Sequence, residues 1–357
     1  MSIALKEGLI LLAIRNITKI KKPSVITLVV VSVIGLCYFK DQLKRKPYYA
    51  DEWGLLQIDA AGMWKYIGCA NLDTSVEIIV AIIDSGIDLR HKDLQNYIFA
   101  KEIIGETGEA IDVIHGWDFL RNVSINSFDH RYTGIGNHGT ACAGIITSVI
   151  NDTANVKLLS LRVLDGDTYQ GSIEDVIAAI KFAEQMGAKV CNLSLSVKQY
   201  SDELKNVIES SSMLFVVSSG NSFPFSLNLD RELSSIYPAC FRSENMIVTA
   251  SIDKNLNLSS TSNYGLTTVD IVAPGEGILT TMPSNRYEYV SGTSFSVPFI
   301  TAVAAVLFYQ NPNATANDVK IAILDSATEI DTLEGKVGGN RMLNAYHAVI
   351  SFERGSD

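Results

Sequence analysis

The chain contains little cysteine, and the cysteines that it has are scattered. Five occur among 357 residues, and no two of them form a CxxC pair. This spacing excludes the paired-cysteine motifs of zinc sites and gives no disulfide framework. Cys37 lies in an apolar stretch, Cys142 and Cys191 in predicted buried elements, and Cys69 and Cys240 in predicted turns. We therefore predict free thiols that pack as small apolar side chains.

Positive charge is also scarce over most of the chain. The whole sequence has 29 Lys and Arg against 39 Asp and Glu, a net charge of −10. Residues 1–46 hold nine of the basic and two of the acidic residues, so residues 47–357 carry 20 and 37, a net charge of −17. Such an acidic domain should repel nucleic acid and favour cationic substrates, although acidity also serves solubility. We predict no nucleic-acid partner.

One stretch near the N-terminus lacks charged side chains altogether. Ser24–Phe39 is apolar and has lysines before and after it. As a helix it would reach about 24 Å, short of the ~30 Å hydrocarbon core unless the flanking lysines snorkel. Three interpretations stay open: a signal anchor, which we favour, a cleaved signal peptide, and a helix buried in a soluble protein. The slight excess of basic residues before the segment favours an extracellular domain behind a single-pass anchor in the cell membrane.

We therefore divide the chain into an N-terminal membrane segment with basic flanks, residues 1–46, and one domain, residues 47–357. In the second part apolar strands alternate with helical patterns, which is typical of an α/β fold with a mostly parallel sheet covered on both faces. The predicted strands are Ile78–Ile83, Lys157–Val163, Lys189–Leu195, Leu214–Val217, Met246–Ser251 and Val269–Val272. The predicted helices are His138–Val149, Ser172–Met186, Ser201–Ser212, Ser294–Tyr309 and Thr315–Ser326, and the predicted recognition loops are Lys101–Arg131 and Phe223–Ser243.

Three short motifs follow these elements in a definite order. Asp84 ends an apolar strand, His138 opens a helix rich in small residues, and Ser294 lies at a glycine-marked turn before an apolar helix. Each has an ordinary structural explanation on its own, as a strand-end turn, a helix cap or a turn serine. Together they supply the nucleophile, base and orienting carboxylate of acyl transfer. A fourth residue, Asn221, follows the predicted strand Leu214–Val217 and would place an amide at the same sheet edge.

In the order Asp, His, Ser, these motifs resemble those of the subtilisin-like serine proteases, the subtilase family. The resemblance runs from about Trp53 to Val349. It implies a three-layer subtilisin-like fold and an endopeptidase with Ser294 as nucleophile, His138 as general base and Asp84 as orienting carboxylate. Asn221 and the backbone N–H of Ser294 would then stabilise the oxyanion.

The resemblance also implies where a peptide substrate would bind. An extended peptide would pair as an added strand with Leu193, Ser194, Leu195 and Ser196. The pocket for the residue before the scissile bond would be lined by Ser218, Ser219, Gly220 and a segment ending near Ile236–Tyr237. Asp230 and Glu232 would either place a carboxylate in that pocket, for a basic side chain, or be solvated loop charges.

Two departures from the family pattern affect the expected partners. A folded inhibitory pro-domain commonly precedes the catalytic domain, whereas 46 residues precede it here, so we expect folding without one or with a separate partner. The loop Asn151–Asn155 is short for the family's calcium loop, and Asp93 alone makes no site, so we predict no metal and no cofactor.

The compact layout also resembles the leader peptidases of lanthipeptide gene clusters. This favours the processing of a precursor or leader peptide over general degradation, and an inactive membrane-tethered binding scaffold is the alternative outside enzymes. The sequence alone leaves open the natural substrate, the oligomeric state and cleavage of the N-terminus.

Overall fold

A computed structural model describes residues 52–104, 110–125 and 137–354 of the chain. The predicted membrane segment Ser24–Phe39 and the boundary after residue 46 lie outside the described residues. Within them, one helical stretch, Thr293–Gln310, is apolar and long enough to cross a membrane, but 83% of it is buried inside the domain.

A ten-stranded sheet forms the centre of the domain. Its order is β13-β14-β10-β9-β8-β7-β1-β6-β4-β5, with the strands from β14 to β4 parallel and the two outermost strands antiparallel. The strands of this sheet are β1 (Ile78–Asp84), β4 (Gly116–Asp118), β5 (Val123–Ile125), β6 (Val156–Arg162), β7 (Val190–Leu193), β8 (Leu214–Ser218), β9 (Met246–Ile252), β10 (Ile271–Pro274), β13 (Thr328–Glu329) and β14 (Arg341–Met342). Two antiparallel hairpins lie outside it, β2 (Lys101–Ile104) with β3 (Ala110–Ile114), and β11 (Ile278–Met282) with β12 (Arg286–Val290).

Helices cover both faces of the sheet and complete a three-layer α/β fold. On one face, Ala81 and Ile83 of β1 pack in a core with Ile177 and Ile180 of α4. On the other face, α3 and α6 pack against each other and against β1. The helices are α1 (Trp53–Gln57), α2 (Ala60–Cys69), α3 (Asn137–Ile150), α4 (Ile173–Gln185), α5 (Asp202–Ser210), α6 (Val297–Gln310), α7 (Ala316–Asp325) and α8 (Ala345–Arg354). Because the central strands are buried on both faces, they are continuous apolar runs, as in IIVAIID of β1.

The structure corrects several predicted boundaries. The strand predicted to reach Leu195 ends at Leu193, because the chain leaves the ladder beside Ser294. The helix predicted from Ser294 begins at Val297, after a 3₁₀ turn over Thr293–Phe295. The described part of the predicted loop Lys101–Arg131 contains β2 to β5, so that prediction was wrong there.

The strand β4 is too short to be recognised by its sequence pattern, and it forms because its backbone approaches β6 closely. A Cβ at Gly116 would lie 1.7 Å from the carbonyl oxygen of Ser160, so only glycine fits at this position.

Candidate active site

Asp84 is fixed at the carboxyl end of β1, where it is fully buried. Its Oδ1 accepts hydrogen bonds from the backbone N–H of Ser85 at 2.6 Å and from the Ser85 hydroxyl at 3.0 Å. The same hydroxyl accepts from the backbone N–H of Gly139 at 3.1 Å, which ties the strand end to the start of α3. The carboxylate is therefore held in one orientation, facing the first turn of that helix.

The imidazole of His138, the second residue of α3, faces this carboxylate. Its Nδ1 lies 2.8 Å from Oδ2 and 3.0 Å from Oδ1 of Asp84. Burial opposes protonation of the imidazole, but the charge and the hydrogen bond of Asp84 outweigh it, so the pKa of His138 lies well above its ordinary value. Because Nδ1 faces Asp84, Nε2 is left for a second partner. Two aromatic rings flank the imidazole, Phe295 at 5.2 Å and Tyr169 at 6.0 Å between centroids.

Ser294 lies in the 3₁₀ turn that leads into α6. Its hydroxyl donates to the carbonyl oxygen of Ser194 at 3.1 Å, and the Ser194 hydroxyl donates back to the carbonyl oxygen of Ser294 at 2.9 Å. The nucleophile candidate is thus joined to the residue that follows β7, and its proton must leave the Ser194 carbonyl oxygen before it can be passed to Nε2 of His138. Catalytic hydrogen bonds often form only when substrate is bound.

The buried thiol of Cys142 links the histidine to the serine. It lies one helical turn after His138, with its Sγ 4.0 Å from Nδ1 of His138 and 3.6 Å from the carbonyl oxygen of Ser294. Burial raises the pKa of this thiol, so it stays protonated at neutral pH. The i, i+4 spacing from His138 was visible in the sequence and would have predicted this contact.

Asn221 contacts the Thr293–Phe295 turn and lies three residues after the end of β8. Its Oδ1 accepts a hydrogen bond from the backbone N–H of Thr293 at 3.1 Å. This bond fixes the amide plane and leaves Nδ2 as a donor. Gly220, with a φ of +79°, turns the chain sharply just before it. The backbone N–H of Ser294 belongs to the first turn of a helix, where N–H groups lack intrahelical acceptors.

The predicted substrate residues surround this turn, at different depths. Ser196 is exposed, whereas Leu193, Ser194 and Leu195 are buried. The second group, Ser218, Ser219 and Gly220, is buried at the end of β8.

Of the two loop charges considered for the pocket, Asp230 is engaged elsewhere. Asp230 accepts hydrogen bonds from Thr267 and Thr268 and lies 3.9 Å from Arg242. Although partial burial acts against them, these hydrogen bonds hold the pKa of Asp230 below its ordinary value. Glu232 is exposed in a 3₁₀ turn. Asp230 is therefore a structural loop charge.

A metal-capable group within the described residues is Asp84, His138 and Cys142, whose candidate ligand atoms lie within 4.8 Å of one another. Asp84 and His138 are already engaged with each other in that group. Asp93, the carboxylate predicted as a lone calcium-ligand candidate, accepts a hydrogen bond from the Tyr287 hydroxyl at 2.5 Å. It thereby connects the loop after β1 to the hairpin β11–β12.

A carboxylate, an imidazole and a serine hydroxyl gathered at the carboxyl edge of a parallel sheet form the arrangement of a serine hydrolase. The sequence profile of the subtilase family matches residues 75–346. The chain is 32% identical over 280 residues to a thermophilic serine proteinase of Bacillus sp. (strain AK1), covering 76% of this chain and 61% of that protein. It is 31% identical over 314 residues to thermitase of Thermoactinomyces vulgaris, covering 85% of this chain and 98% of thermitase. The chain belongs to the subtilase family.

A solved structure agrees with this assignment at the level of the fold. The crystal structure of a cold adapted subtilisin-like serine proteinase superposes with a TM-score of 0.61 at 24% identity, covering 77% of this chain and 91% of that chain. The chain spans about three fifths of the Bacillus proteinase and nearly all of thermitase. The predicted family and the predicted fold are confirmed.

Proposed function

We propose that the chain is an endopeptidase that cleaves peptide bonds through an acyl-enzyme on Ser294. The observation that carries the proposal is the hydrogen bond of 2.8 Å between Asp84 and His138, with Ser294 on the turn that Cys142 links to that histidine. Asp84 would hold the imidazole with Nε2 free to accept the proton of the Ser294 hydroxyl.

In this mechanism Ser294 Oγ attacks the carbonyl carbon while His138 takes the hydroxyl proton. Nδ2 of Asn221 and the backbone N–H of Ser294 donate to the oxyanion that forms. His138 then returns the proton to the leaving amine, and the C–N bond breaks. A water molecule, deprotonated by His138, hydrolyses the ester and restores Ser294.

A serine-reactive fluorophosphonate probe tests this assignment on the full chain in detergent. Labelling is expected for the wild type and for Ser212→Ala, which changes an exposed serine just before β8. It should be lost in Ser294→Ala and His138→Ala. Labelling that persists in Ser294→Ala would assign the nucleophile elsewhere. A folded wild type that is not labelled would favour the inactive binding scaffold.

The second part of the proposal is a narrow processing role for an enzyme held at the membrane by Ser24–Phe39. It rests on the apolar segment with its basic flanks and on the compact layout of the domain. Digestion of a mixture of folded proteins, compared with cleavage of single peptides, separates processing from degradation. Selective cleavage of few peptides is expected, and broad digestion of the mixture would assign a degradative role.

A further inference from the structure

The ends of β7 and β8 enclose a recess next to the nucleophile. The ladder between the two strands ends at the pair Leu193 and Val217. Beyond it Val197 pairs with Tyr237 instead, through two backbone hydrogen bonds of 2.8 Å. The recess is therefore bounded by residues 194–196 on one side, residues 218–220 on the other and residues 236–237 across the far end.

The groups that would act on the peptide bond lie at the mouth of this recess. Ser294 Oγ donates a hydrogen bond to the carbonyl oxygen of Ser194 on one wall. Asn221 directly follows Gly220, which lies on the other wall. In the proposed mechanism, the carbonyl carbon would lie at Ser294 Oγ with its oxygen towards Nδ2 of Asn221, and the side chain of the residue that carries this carbonyl would be next to the recess. That residue is the one on the acyl side of the scissile bond.

The side chain of Ile236 occupies the far end of the recess. A Cβ built on Gly220 would lie 2.5 Å from Cδ1 of Ile236, 3.2 Å from Nδ2 of Asn263 and 3.8 Å from Oγ of Ser196. Ile236 thus packs directly against the backbone of Gly220, and it is only 9% exposed. The isoleucine therefore reaches the Gly220 wall from the end opposite Ser294 and takes up space between the two walls.

The walls of the recess also lack a charge that could serve a charged substrate side chain. Ser196, Gly220 and Ile236 are uncharged, and the nearby Asp230 is turned towards Thr267 and Thr268. A lysine or glutamate in the recess would lose its hydration without gaining a partner.

We infer that Ile236 restricts the acyl-side residue of the substrate to a small uncharged side chain such as alanine, serine or glycine. This inference rests on the proposed peptidase function and names the substrate class of the same site. The isoleucine acts as a specificity residue, since it limits the depth of the recess without touching the reacting atoms.

The test uses the full chain in detergent and peptides that differ only in the acyl-side residue, Ala, Phe or Lys. Wild type is expected to have a kcat/KM for the Ala peptide at least about tenfold above the other two. Ile236→Gly should raise the Phe-to-Ala ratio by about tenfold or more, with the Lys peptide still poor. Leu229→Ala, which truncates a buried side chain outside the recess, is the matched control and should leave the ratio unchanged.

The outcomes separate the two proposals. A wild type that is labelled by the fluorophosphonate but prefers the Phe or Lys peptide overturns the inference alone. So does an unchanged Phe-to-Ala ratio in a folded Ile236→Gly. If that variant unfolds, Ile236→Ala answers the same question, and an unchanged ratio there counts equally against the inference. Failure of the folded wild type to react with the probe removes the proposed function, and the inference with it.

Discussion

At the scale of single residues, the proposed mechanism makes activity depend on the protonation of His138. Catalysis requires the neutral imidazole, and the Asp84 charge holds the pKa of His138 well above its ordinary value. We expect kcat/KM of the wild type to rise with pH through that elevated pKa, which is an alkaline profile. Asp84→Asn should shift the midpoint to lower pH and reduce kcat by about 10⁴-fold. Kinetics against pH measure both effects, and an unmoved midpoint would contradict the assignment of Asp84.

The same titration affects stability, with a definite sign. A pKa that is raised by folding adds stability while the group is protonated in both states, below its unfolded pKa. The contribution of His138 is therefore complete in mildly acidic solution and is lost as the pH rises through the raised pKa of the folded protein. The enzyme should be most active where this contribution has disappeared. Thermal unfolding of wild type and Asp84→Asn between pH 5 and 9 checks this. The stability of the wild type should fall as the pH rises through the raised pKa of His138, and the variant should not show this fall.

Tyr169 is expected to help position His138. Its half-exposed ring packs edge-on against the imidazole. The backbone of Tyr169 has a φ of +55°, which is unfavourable for residues other than glycine. Since an aromatic contact of this kind contributes about 0.5–1.5 kcal/mol, Tyr169→Ala should lower kcat two- to twelvefold. Tyr169→Phe keeps the ring and should restore kcat. If the alanine variant has a higher KM and an unchanged kcat, the ring contributes to substrate binding alone.

The residues of the candidate site could be proposed from their order and local pattern, because each lies at the end of a long apolar element. Asp84, His138 and Ser294 are of this kind. The rings of Tyr169 and Phe295 against His138 could not be predicted, since each contact joins residues that are far apart in the chain. The Ser194 contact with Ser294 joins residues 100 positions apart and has no local signature.

At the scale of elements, α3 docks on the hairpin strand β11 through a glycine. A Cβ at Gly144 would lie 2.2 Å from Oγ1 of Thr281 and 2.6 Å from Oγ1 of Thr280. These two hydroxyls donate to the carbonyl oxygens of Thr140 and Ala141, at 2.7 Å each, in the first turns of the same helix. The hairpin thus holds the helix that presents His138.

Gly144→Ala is expected to destabilise the fold, by about 1–3 kcal/mol from overpacking. Helix propensity alone gives the opposite sign, a gain of up to about 1 kcal/mol. Gly68→Ala provides the control, because Gly68 lies in α2 with no atom within 4 Å of the added Cβ. Chemical denaturation should show a lower free energy of unfolding for Gly144→Ala than for the wild type, and a higher one for Gly68→Ala. A stabilised Gly144→Ala would show that α3 can move away from β11.

The long central elements were the predictable ones, and the short peripheral ones were not. The strands β1, β6, β8 and β9 agree with prediction within one residue at each end, since burial on both faces gives continuous apolar runs. The hairpin β11–β12 was missed, because its second strand is mostly exposed and lacks a regular apolar pattern.

At the scale of the whole molecule, the predicted anchor has a consequence that can be measured in intact cells. Cys69 is an exposed free thiol at the end of α2, whereas Cys142 and Cys191 are buried. If the domain is extracellular, a membrane-impermeant maleimide should label the wild type on whole cells. Cys69→Ser should remove most of the label. Labelling only after lysis would place the domain in the cytoplasm and reverse the orientation expected from the basic flanks.

The mutual hydrogen bonds between Ser194 and Ser294 should affect the reactivity of the Ser294 hydroxyl when no substrate is present. With its proton directed at the Ser194 carbonyl, the hydroxyl is not yet hydrogen-bonded to His138, the base that would take the proton in the proposed mechanism. Under the proposed function, a peptide that pairs with this edge would bring a second hydrogen-bond donor to the same carbonyl oxygen and would weaken its hydrogen bond to Ser294. The hydroxyl is then free to turn to the histidine. We expect a bound peptide to raise the reactivity of Ser294 above the basal level that the fluorophosphonate detects in the free protein.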